Sequence, residues 1–397
     1  MDLFFLKALL RGQLTTTPNF EKTLNQVAIN AKRYREVEKS AFLAEYKELE
    51  KKVTAPDFIA KKEELIKTKY ERTPEYKAMA EFKKLCKDKY VRTYLRNGKE
   101  EERMSVQRYL ELKAEVETAD FQKRNDFWKD KNRWTTTDEY KLEERYNELK
   151  NDSDIVFFFN ADKKNVERWE QFDLAFNDDF EWVNLRNSPW KPGFIYPNDK
   201  FLSAHSYGNE QQAYCDGKMV DTNNSVLTIF TKKEACEGRA WDAKKGMYMK
   251  TFPYSSDALY TDAVAIEEGS VVQVKCKCSG KLNHGVYLRS RNHLPYISIF
   301  DSTSKNIMCG VKTDIKTEYF RKITATSMLA YTIFTLSWQK DEIVWFVNNL
   351  EVCRMKNNLP KGEKLYLHLY SFQFEKASIS EGELNVDWIR VYNVKKK

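Results

Sequence analysis

Histidine and cysteine are the residue types that most readily act as bases, nucleophiles or metal ligands near neutral pH. The chain contains four histidines and seven cysteines. The histidine spacing gives neither a metal triad nor a nucleophile–base pair, and the cysteines show no paired CxxC spacing. No catalytic role is therefore assigned to the histidines, which are His205, His284, His293 and His368. Reduced, buried thiols are favoured over a zinc site for the cysteines, which are Cys86, Cys215, Cys236, Cys276, Cys278, Cys309 and Cys353.

Length and composition indicate two globular units. The chain has 397 residues, more than a typical single domain, and is 42% apolar and 32% charged. Its net charge of +8 comes from 67 basic and 59 acidic residues spread over a long chain, so nucleic-acid binding is not expected. No stretch approaches the roughly 20 uninterrupted apolar residues of a membrane-spanning helix, and we expect no membrane span.

Residues 18–150 are predicted to be helical, because apolar residues recur at spacings of three and four and glycine is almost absent. An internal repeat of about 63 residues relates Tyr46 to Tyr109 and the string TAPDF to ETADF. Each copy continues into a predicted helix start, capped by Thr73 or Thr137. A repeated helical unit buries its apolar stripe against its neighbour. We therefore expect a helical hairpin or short bundle used about twice, acting as a stalk, spacer or docking element.

The first fourteen residues form a separate apolar segment. Asp2, Lys7 and Arg11 interrupt it and no small-residue cleavage site follows, so no secretory signal is predicted and synthesis in the cytoplasm is expected. We expect the segment to pack on the chain's own helical domain. The alternative is insertion into a partner protein as an amphipathic anchor. Its apolar side chains are Leu3, Phe4, Phe5, Leu6, Leu9 and Leu10.

After residue 152 the sequence changes to short, nearly alternating runs of aromatic and β-branched residues, broken by Asn, Gly, Pro and Asp. This texture predicts an all-β domain, and some 240 residues of it fit a two-sheet sandwich with a concave face. The predicted fold class is therefore multidomain, α plus all-β. We place a helical repeat domain at residues 1–152 and a β-sandwich at residues 153–397.

Several β segments carry a family pattern in order and spacing. His205–Tyr214 is similar to an Asn-Glu-x-Gln-x-Tyr segment that borders the cleft of family 16 glycoside hydrolases. The family's closing strands are matched by Phe334–Trp338, Ile343–Asn349, Leu359–Pro360 and Val386–Tyr392. From about Trp169 to Val394, the chain thus resembles the laminarinase-like branch of glycoside hydrolase family 16. The resemblance implies a concanavalin A-like jelly roll.

The catalytic strand departs from that family. Family members carry Glu-x-Asp-x-x-Glu, which alternation and a bulge direct into one cleft. The equivalent strand here, Pro295–Ser302, places Tyr296 at the nucleophile position, Ser298 at the assisting position and Asp301 at the acid/base position. A retaining glycosidase needs two carboxyl groups about 5 Å apart. The resemblance therefore implies a degenerate site without catalytic residues.

The cleft could still hold a glycan, with aromatic side chains stacking on sugar faces and polar side chains bonding hydroxyls. The candidates are Asn209, Glu210, Gln211, Tyr287, Arg289, Tyr296 and Asp301. In the competing interpretation, Arg289 and Asp301 form an ion pair and side chains close the cleft. Asp387 matches a position at which relatives sometimes hold a structural calcium ion, so calcium is a possible ligand there. No other cofactor is expected.

The leading hypothesis is a non-catalytic, hydrolase-derived module for glycan recognition or structure, carried on a helical stalk within a larger assembly such as a phage virion. Its expected partners are a polysaccharide and a protein that docks on the N-terminal helices. The alternative is an active endo-β-glucan hydrolase with a rearranged site. That alternative predicts a second carboxylate, such as Glu210, near Asp301.

Overall fold

The computed structural model describes residues 7–8, 10–195, 205–302, 306–314, 318–324 and 328–395, with the backbone alone for 318–324. The chain divides into two compact units. One consists of Met1–Ile29 with Lys164–Lys397, and the other of Asn30–Lys163. Among the residues described, none of the helices combines the length and the apolar character that crossing a membrane requires.

The helices fill the N-terminal part of the described chain. They are α1 (Thr17–Glu38), α2 (Ala41–Val53), α3 (Pro56–Lys67), α4 (Pro74–Leu85), α5 (Lys89–Asn97), α6 (Met104–Val116), α7 (Ala119–Lys129), α8 (Asp138–Lys150), α9 (Ser153–Asn160) and α10 (Lys163–Glu170). Short 3₁₀ turns lie at Tyr70–Arg72, Arg133–Thr136 and Leu185–Asn187.

The internal repeat predicted from the sequence is present, and each copy holds three helices and a 3₁₀ turn. Helices α2, α3 and α4 of the first copy correspond to α6, α7 and α8 of the second. The predicted helix starts are also found. The Thr73 hydroxyl accepts the Tyr76 backbone N–H at 3.2 Å, and the Thr137 hydroxyl accepts that of Tyr140 at 3.1 Å. Each threonine satisfies one of the donors that a helix start leaves unpaired.

The two copies pack reciprocally, because α2 contacts α8 and α4 contacts α6. Equivalent positions carry exchanged charges, so Arg145 pairs with Glu45 at 2.8 Å and Arg108 pairs with Glu81 at 3.0 Å. Aromatic rings stack at the same two contacts, with centroids 5.4 Å apart in both: Tyr46 with Tyr146, and Phe82 with Tyr109. Each copy therefore buries its apolar stripe against the other, as expected for a repeated helical unit.

Helical structure continues past the boundary expected at residue 152. The Asp152 carboxylate accepts the backbone N–H of Asp154 at 2.8 Å and caps α9. The aromatic run in α9 then packs on earlier helices, with Phe158 stacked on Tyr34 at 4.7 Å. The first strand begins only at Phe172. Local capping and packing thus override the strand-like composition of this run.

The N-terminal segment contributes to the sandwich unit, in contrast to the expected packing on the helical domain. The Asn349 carboxamide oxygen accepts the Thr15 backbone N–H at 2.8 Å, and Thr17 donates its hydroxyl to the Tyr331 carbonyl at 2.8 Å. Leu14 packs against the core of the sandwich. Five of the apolar side chains expected to need cover lie outside the described residues: Leu3, Phe4, Phe5, Leu6 and Leu9.

From Phe172 onward the described chain is built of strands. They are β1 (Phe172–Asp178), β2 (Trp190–Pro192), β3 (Ser206–Tyr207), β4 (Gln212–Tyr214), β5 (Val220–Asn223), β6 (Val226–Thr231), β7 (Cys236–Asp242), β8 (Gly246–Phe252), β9 (Tyr254–Ser256), β10 (Ala258–Thr261), β11 (Val271–Cys278), β12 (Asn283–Arg289), β13 (Tyr296–Ser302), β14 (Asn306–Lys312), β15 (Glu318–Thr324), β16 (Thr332–Trp338), β17 (Glu342–Val347), β18 (Leu350–Lys356), β19 (Tyr366–Phe372) and β20 (Gly382–Val394).

Two large sheets form the predicted sandwich. One has the order β18-β17-β16-β11-β20-β6-β5, with β1 also paired to β20, and the other has the order β15-β14-β13-β12-β19-β10-β2. Side chains of both sheets meet in one core, where Phe300 of β13 stacks on Phe334 of β16 at 4.5 Å. Two smaller sheets, β3-β7-β8 and β4-β9, are formed by strands that lie between β2 and β10 in the sequence. No disulfide joins the seven cysteines, all of which belong to the described part of the chain.

Candidate functional site

The second large sheet turns one face to the core, and the side chains of its other face form the wall of a cavity of about 520 Å³. Eight aromatic rings line this cavity: Phe194, Tyr207, Tyr214, Tyr287, Tyr296, Tyr370, Phe372 and Phe374. The charged lining residues are Glu210, Arg289, Asp301 and Lys312. The volume and the mixture of aromatic with a few polar groups are typical of a small-molecule or saccharide pocket.

Strand β13 places the predicted catalytic-position residues on one face. Ile297 and Ile299 are buried in the core, so Tyr296 and Ser298 point the opposite way by alternation. A bulge follows, because Ser298 pairs with Tyr287 whereas Phe300 pairs with Val286 on the neighbouring strand. The bulge returns Asp301 to the face of Tyr296. The expected bulge is therefore present, although two of the three carboxylates of the family pattern are replaced.

Tyr287 of β12 occupies the centre of this face. A Cβ atom added at Gly285 would lie 2.0 Å from the Tyr287 ring, so only glycine leaves room for the ring there. The ring stacks on Tyr370 with centroids 4.9 Å apart, and the Tyr287 hydroxyl donates to Oδ2 of Asp301 at 2.6 Å. Gly285 therefore fixes the hydroxyl that holds Asp301.

Arg289 enters the cavity from the end of β12. Its Cζ atom lies 5.3–5.5 Å from the ring centroids of Phe194, Tyr287, Tyr296 and Tyr370, within cation–π distance. One Nη donates to the Tyr370 hydroxyl at 2.9 Å. Its Nε is buried and has no hydrogen-bond partner among the described residues. The ion pair between Arg289 and Asp301 considered above is not formed within that part of the chain.

Burial raises the pKa of both carboxyl groups of the cavity. Burial raises the pKa of Glu210 to about 8, opposed by the Tyr207 backbone N–H that it accepts at 2.8 Å and by the charge of Arg289. Burial raises the pKa of Asp301 to about 6, opposed by the hydroxyl of Tyr287 and again by Arg289. Near neutral pH, Glu210 is therefore mostly protonated.

Two histidines at the cavity, His293 and His368, favour the uncharged form at neutral pH. Burial lowers the pKa of His368 to about 3 and that of His293 to about 4, with the Arg289 charge acting in the same direction. His368 accepts the Ile195 backbone N–H through Nε2 at 3.2 Å, and its Nδ1 lies 2.9 Å from the Tyr366 carbonyl. These contacts assign the proton of the neutral ring to Nδ1.

The structure brings five of the seven predicted glycan-binding residues to the cavity wall: Glu210, Tyr287, Arg289, Tyr296 and Asp301. The other two, Asn209 and Gln211, are not among the described lining residues. The Gln211 carboxamide instead donates to the carbonyls of Phe374 and Ala377, both at 2.8 Å. Ser298 is fully buried, and its hydroxyl has no partner within the described chain.

Asp387, the predicted calcium position, pairs with Lys275 at 2.7 Å. Lys275 also pairs with Glu21 at 2.8 Å. In the described residues, no group of three or more His, Cys, Asp or Glu side chains could hold a metal ion. Calcium at Asp387 stays a prediction.

Sequence reasoning missed several lining residues because they come from strands far along the chain. Tyr370 and Phe372 of β19 line the cavity, together with Phe374 just after that strand. A signal for them was available, since Tyr366, His368, Tyr370 and Phe372 alternate with buried Leu367, Leu369 and Ser371. Period-two alternation of aromatics indicates a strand that presents rings on one face. The histidines His205 and His293, assigned no catalytic role, also lie in the lining.

The fold and the site define a two-sheet β-sandwich with an aromatic-lined cavity on one sheet face. No protein-family model and no curated protein matches the chain. Solved structures similar to it include the laminarinase catalytic domain of Thermotoga maritima, at 16% identity and a TM-score of 0.45, covering 57% of this chain and 99% of that one.

A second similar structure is the endo-β-1,3-glucanase of Pyrococcus furiosus, at 18% identity and a TM-score of 0.46, covering 57% of this chain and 96% of that one. A third is SCLam, described as a non-specific endo-β-1,3(4)-glucanase of family 16, at 21% identity and a TM-score of 0.47, covering 57% of this chain and 92% of that one. These structures are of the kind that the sequence resemblance predicted. With TM-scores below 0.5, they leave the chemistry of the site to be derived from its own residues.

Proposed function

We propose that the sandwich unit binds a saccharide in the β12–β13–β19 cavity without hydrolysing it. The lining of the cavity carries the proposal, because eight aromatic rings surround a few convergent polar groups in about 520 Å³. Rings of this kind stack on the apolar C–H faces of sugars, and the polar groups bond hydroxyls. Glu210, as a protonated carboxyl, can both donate and accept such bonds.

The residues on β13 support the proposed absence of hydrolysis. A retaining mechanism needs one carboxylate to form the glycosyl intermediate and another carboxyl to protonate the leaving oxygen. Tyr296 and Ser298 stand at two of the three positions that the family resemblance makes catalytic. The remaining carboxyl, Asp301, accepts the Tyr287 hydroxyl at 2.6 Å. These features support a pocket that has kept its shape and lost its nucleophile.

An active hydrolase is the second candidate, and one observation favours it. Glu210 and Asp301 line the same cavity, and burial raises the pKa of Glu210 to about 8 and that of Asp301 to about 6. A raised carboxyl pKa is the property of a general acid at neutral pH. In that scheme Glu210 would protonate the leaving oxygen and ionised Asp301 would attack the sugar.

One experiment separates the two candidates. The purified full chain is incubated with a panel of β-1,3 and β-1,4 glucans, agarose and acidic polysaccharides, and both retention on the polymer and release of reducing ends are measured. Retention without release is expected. Release that Asp301→Asn abolishes would establish the hydrolase, and neither signal on any polymer would contradict saccharide binding.

For the helical unit we propose a docking or spacer role in a larger assembly such as a phage virion. Reciprocal packing of the two copies leaves large apolar side chains exposed: Phe42, Ile59, Ile66, Leu95 and Phe159. A protein partner that covered these side chains would bury apolar surface, which favours association. The test is to fractionate the producing culture and to follow the chain by mass spectrometry. It should sediment with particles, and its recovery only as dispersed protein would contradict the role.

A further inference from the structure

Arg289 is a cation in the cavity wall that forms no direct ion pair within the described chain. Its described polar contact is with the neutral hydroxyl of Tyr370 at 2.9 Å, its Nε is buried without a partner there, and four rings surround the guanidinium. Charges removed from water are normally paired in folded proteins. Aromatic faces offset only part of the cost of burying a charge.

No carboxylate of the described chain forms an ion pair with Arg289, although Asp301 and Glu210 line the same cavity. Asp301 directs one carboxylate oxygen to Tyr287, and its Oδ1 is buried without a partner in the described chain. Glu210 accepts a backbone N–H of Tyr207 through Oε2 at 2.8 Å. Lys312 adds a second basic side chain to the same lining. The cavity wall therefore holds a guanidinium without an ion pair in the described chain, with the side chain of Lys312 in the same lining.

We infer that the cavity selects an acidic saccharide, whose carboxylate or sulfate group pairs with Arg289 while the sugar ring stacks on the surrounding aromatic side chains. This inference rests on the proposed saccharide binding and names its ligand class. A planar guanidinium matches the two oxygens of a carboxylate or sulfate through parallel hydrogen bonds. Such an anion would give the guanidinium the direct charge partner that the described side chains do not provide.

Arg291, two residues after Arg289 and on the β12–β13 connection, provides a matched control. It is exposed, stacks on Tyr366 with its Cζ atom 4.8 Å from the ring centroid, and is not among the described lining residues. Arg289→Gln and Arg291→Gln each remove one positive charge from a chain of net charge +8. A difference between them therefore reports the position of the charge and not the general basicity of the protein.

The test compares binding of the full chain to three polymers by affinity electrophoresis and calorimetry: neutral agarose, sulfated carrageenan and the uronate polymer polygalacturonate. Measurements at about 0.15 M and about 0.5 M salt separate specific binding from general attraction, which salt screens. We expect an acidic polymer to bind about tenfold or more tightly than agarose, with Arg289→Gln abolishing that margin and Arg291→Gln preserving it. The two acidic arms show whether a carboxylate or a sulfate is preferred.

Every outcome decides between the two proposals. Equal binding to neutral and acidic polymers, or an acidic preference that Arg289→Gln leaves intact, would overturn the inference and keep saccharide binding. Binding to no polymer would overturn both. Arg289→Lys guards against a folding defect, because it keeps the charge and loses the planar fork. It should retain a reduced acidic preference while thermal unfolding stays that of the unmodified chain.

Discussion

Two arginines, one in each unit, have different partners: backbone carbonyls bind Arg133, whereas aromatic rings surround Arg289. Arg133 of the helical unit is buried and stacks over Trp128 at 5.1 Å. Its guanidinium donates to four backbone carbonyls, those of Leu65, Thr68, Trp128 and Asp130. Arg289 of the sandwich unit has four rings around it, one hydroxyl acceptor and an unpaired Nε in the described chain. The difference separates a structural charge from one that can serve a ligand.

The four carbonyls also explain why Arg133 is structural. Leu65 and Thr68 lie at the C-terminal end of α3, and Trp128 and Asp130 lie at that of α7, the equivalent helix of the second copy. The last carbonyls of a helix have no partner within the helix, and a cation there is stabilised by the helix dipole. Arg133 thus closes two equivalent helix ends at once. Nothing comparable surrounds Arg289.

The largest effect is expected from Arg133→Met. The variant leaves several partly buried helix-end carbonyls without this donor and removes a buried cation, so the free energy of unfolding of the helical unit should fall by about 3 kcal/mol. Urea denaturation followed by circular dichroism at 222 nm measures the loss, and hydrogen exchange in α3 and α7 locates it. Arg108→Met, which removes an exposed pair with Glu81, is the control and should leave the midpoint nearly unchanged. Equal losses of stability in the two variants would contradict the structural role assigned to Arg133.

The next effect concerns the cavity and depends on pH. The pKa of Glu210 is about 8 in the folded chain and about 4.3 when unfolded. Since the unfolded state loses this proton first, the contribution of Glu210 to stability falls as pH rises from about 4 to 8. Glu210→Gln should therefore resemble the unmodified chain at pH 5 and exceed it by at least about 2 kcal/mol at pH 9.

Urea midpoints at pH 5, 7 and 9 measure this difference. Glu237→Gln, at an exposed position of β7, is the matched control and should show no such trend. If the urea midpoints of Glu210→Gln and the unmodified chain differed by the same amount at all three pH values, the Glu210 carboxyl would be ionised and paired in the folded chain. Glu210 would then be a satisfied structural charge, as Arg133 is.

A smaller loss is expected from Tyr70→Phe in the helical unit. The Tyr70 hydroxyl donates at 2.6 Å to the carboxamide oxygen of Asn125, which is 2% exposed. Removing the hydroxyl leaves that oxygen unsatisfied, at a cost of about 1.5 kcal/mol. Tyr76→Phe, on a ring that packs edge-on against Tyr70 and is 37% exposed, should change stability far less. Urea denaturation of both variants tests whether buried polar groups of this unit are uniformly satisfied.

The sequence predicted what depends on local pattern. The helical repeat followed from Tyr46 and Tyr109 and the sandwich from period-two alternation, whereas the bulge that brings Asp301 to the face of Tyr296 was implied by the family resemblance. The reciprocal packing of the two copies, in which α2 contacts α8 and α4 contacts α6, depends on long-range contacts. The sequence pattern of a single copy does not predict these contacts. Equally, neighbours in the chain were not neighbours in the site, because turn geometry directs Gln211 to the carbonyl of Phe374 while Glu210 lines the cavity.

The composition of residues 157–159 misled for a related reason. Three consecutive phenylalanines are typical of a buried strand. Here an N-cap at Asp152 starts a helix, and Tyr34 and Tyr46 supply ring partners on one side of it. The partners lie more than a hundred residues earlier. Local composition alone could not show that earlier helices provide packing partners for these rings. The boundary between the helical and β domains was therefore placed too early, at residue 152.

The smallest effect has the opposite sign to the first. Arg289→Met replaces a guanidinium that forms no ion pair in the described chain by an apolar side chain of similar length, in a wall of aromatic rings. Replacing a poorly paired buried charge by an apolar group is neutral or stabilising. The free energy of unfolding of the sandwich should therefore stay equal or rise by up to about 1 kcal/mol, while retention on acidic polymers is lost. Urea denaturation with hydrogen exchange in β12 measures the stability. A loss of stability as large as that of Arg133→Met would show that the rings and the Tyr370 hydroxyl already satisfy the charge of Arg289. The guanidinium would then not need a bound anion as a partner.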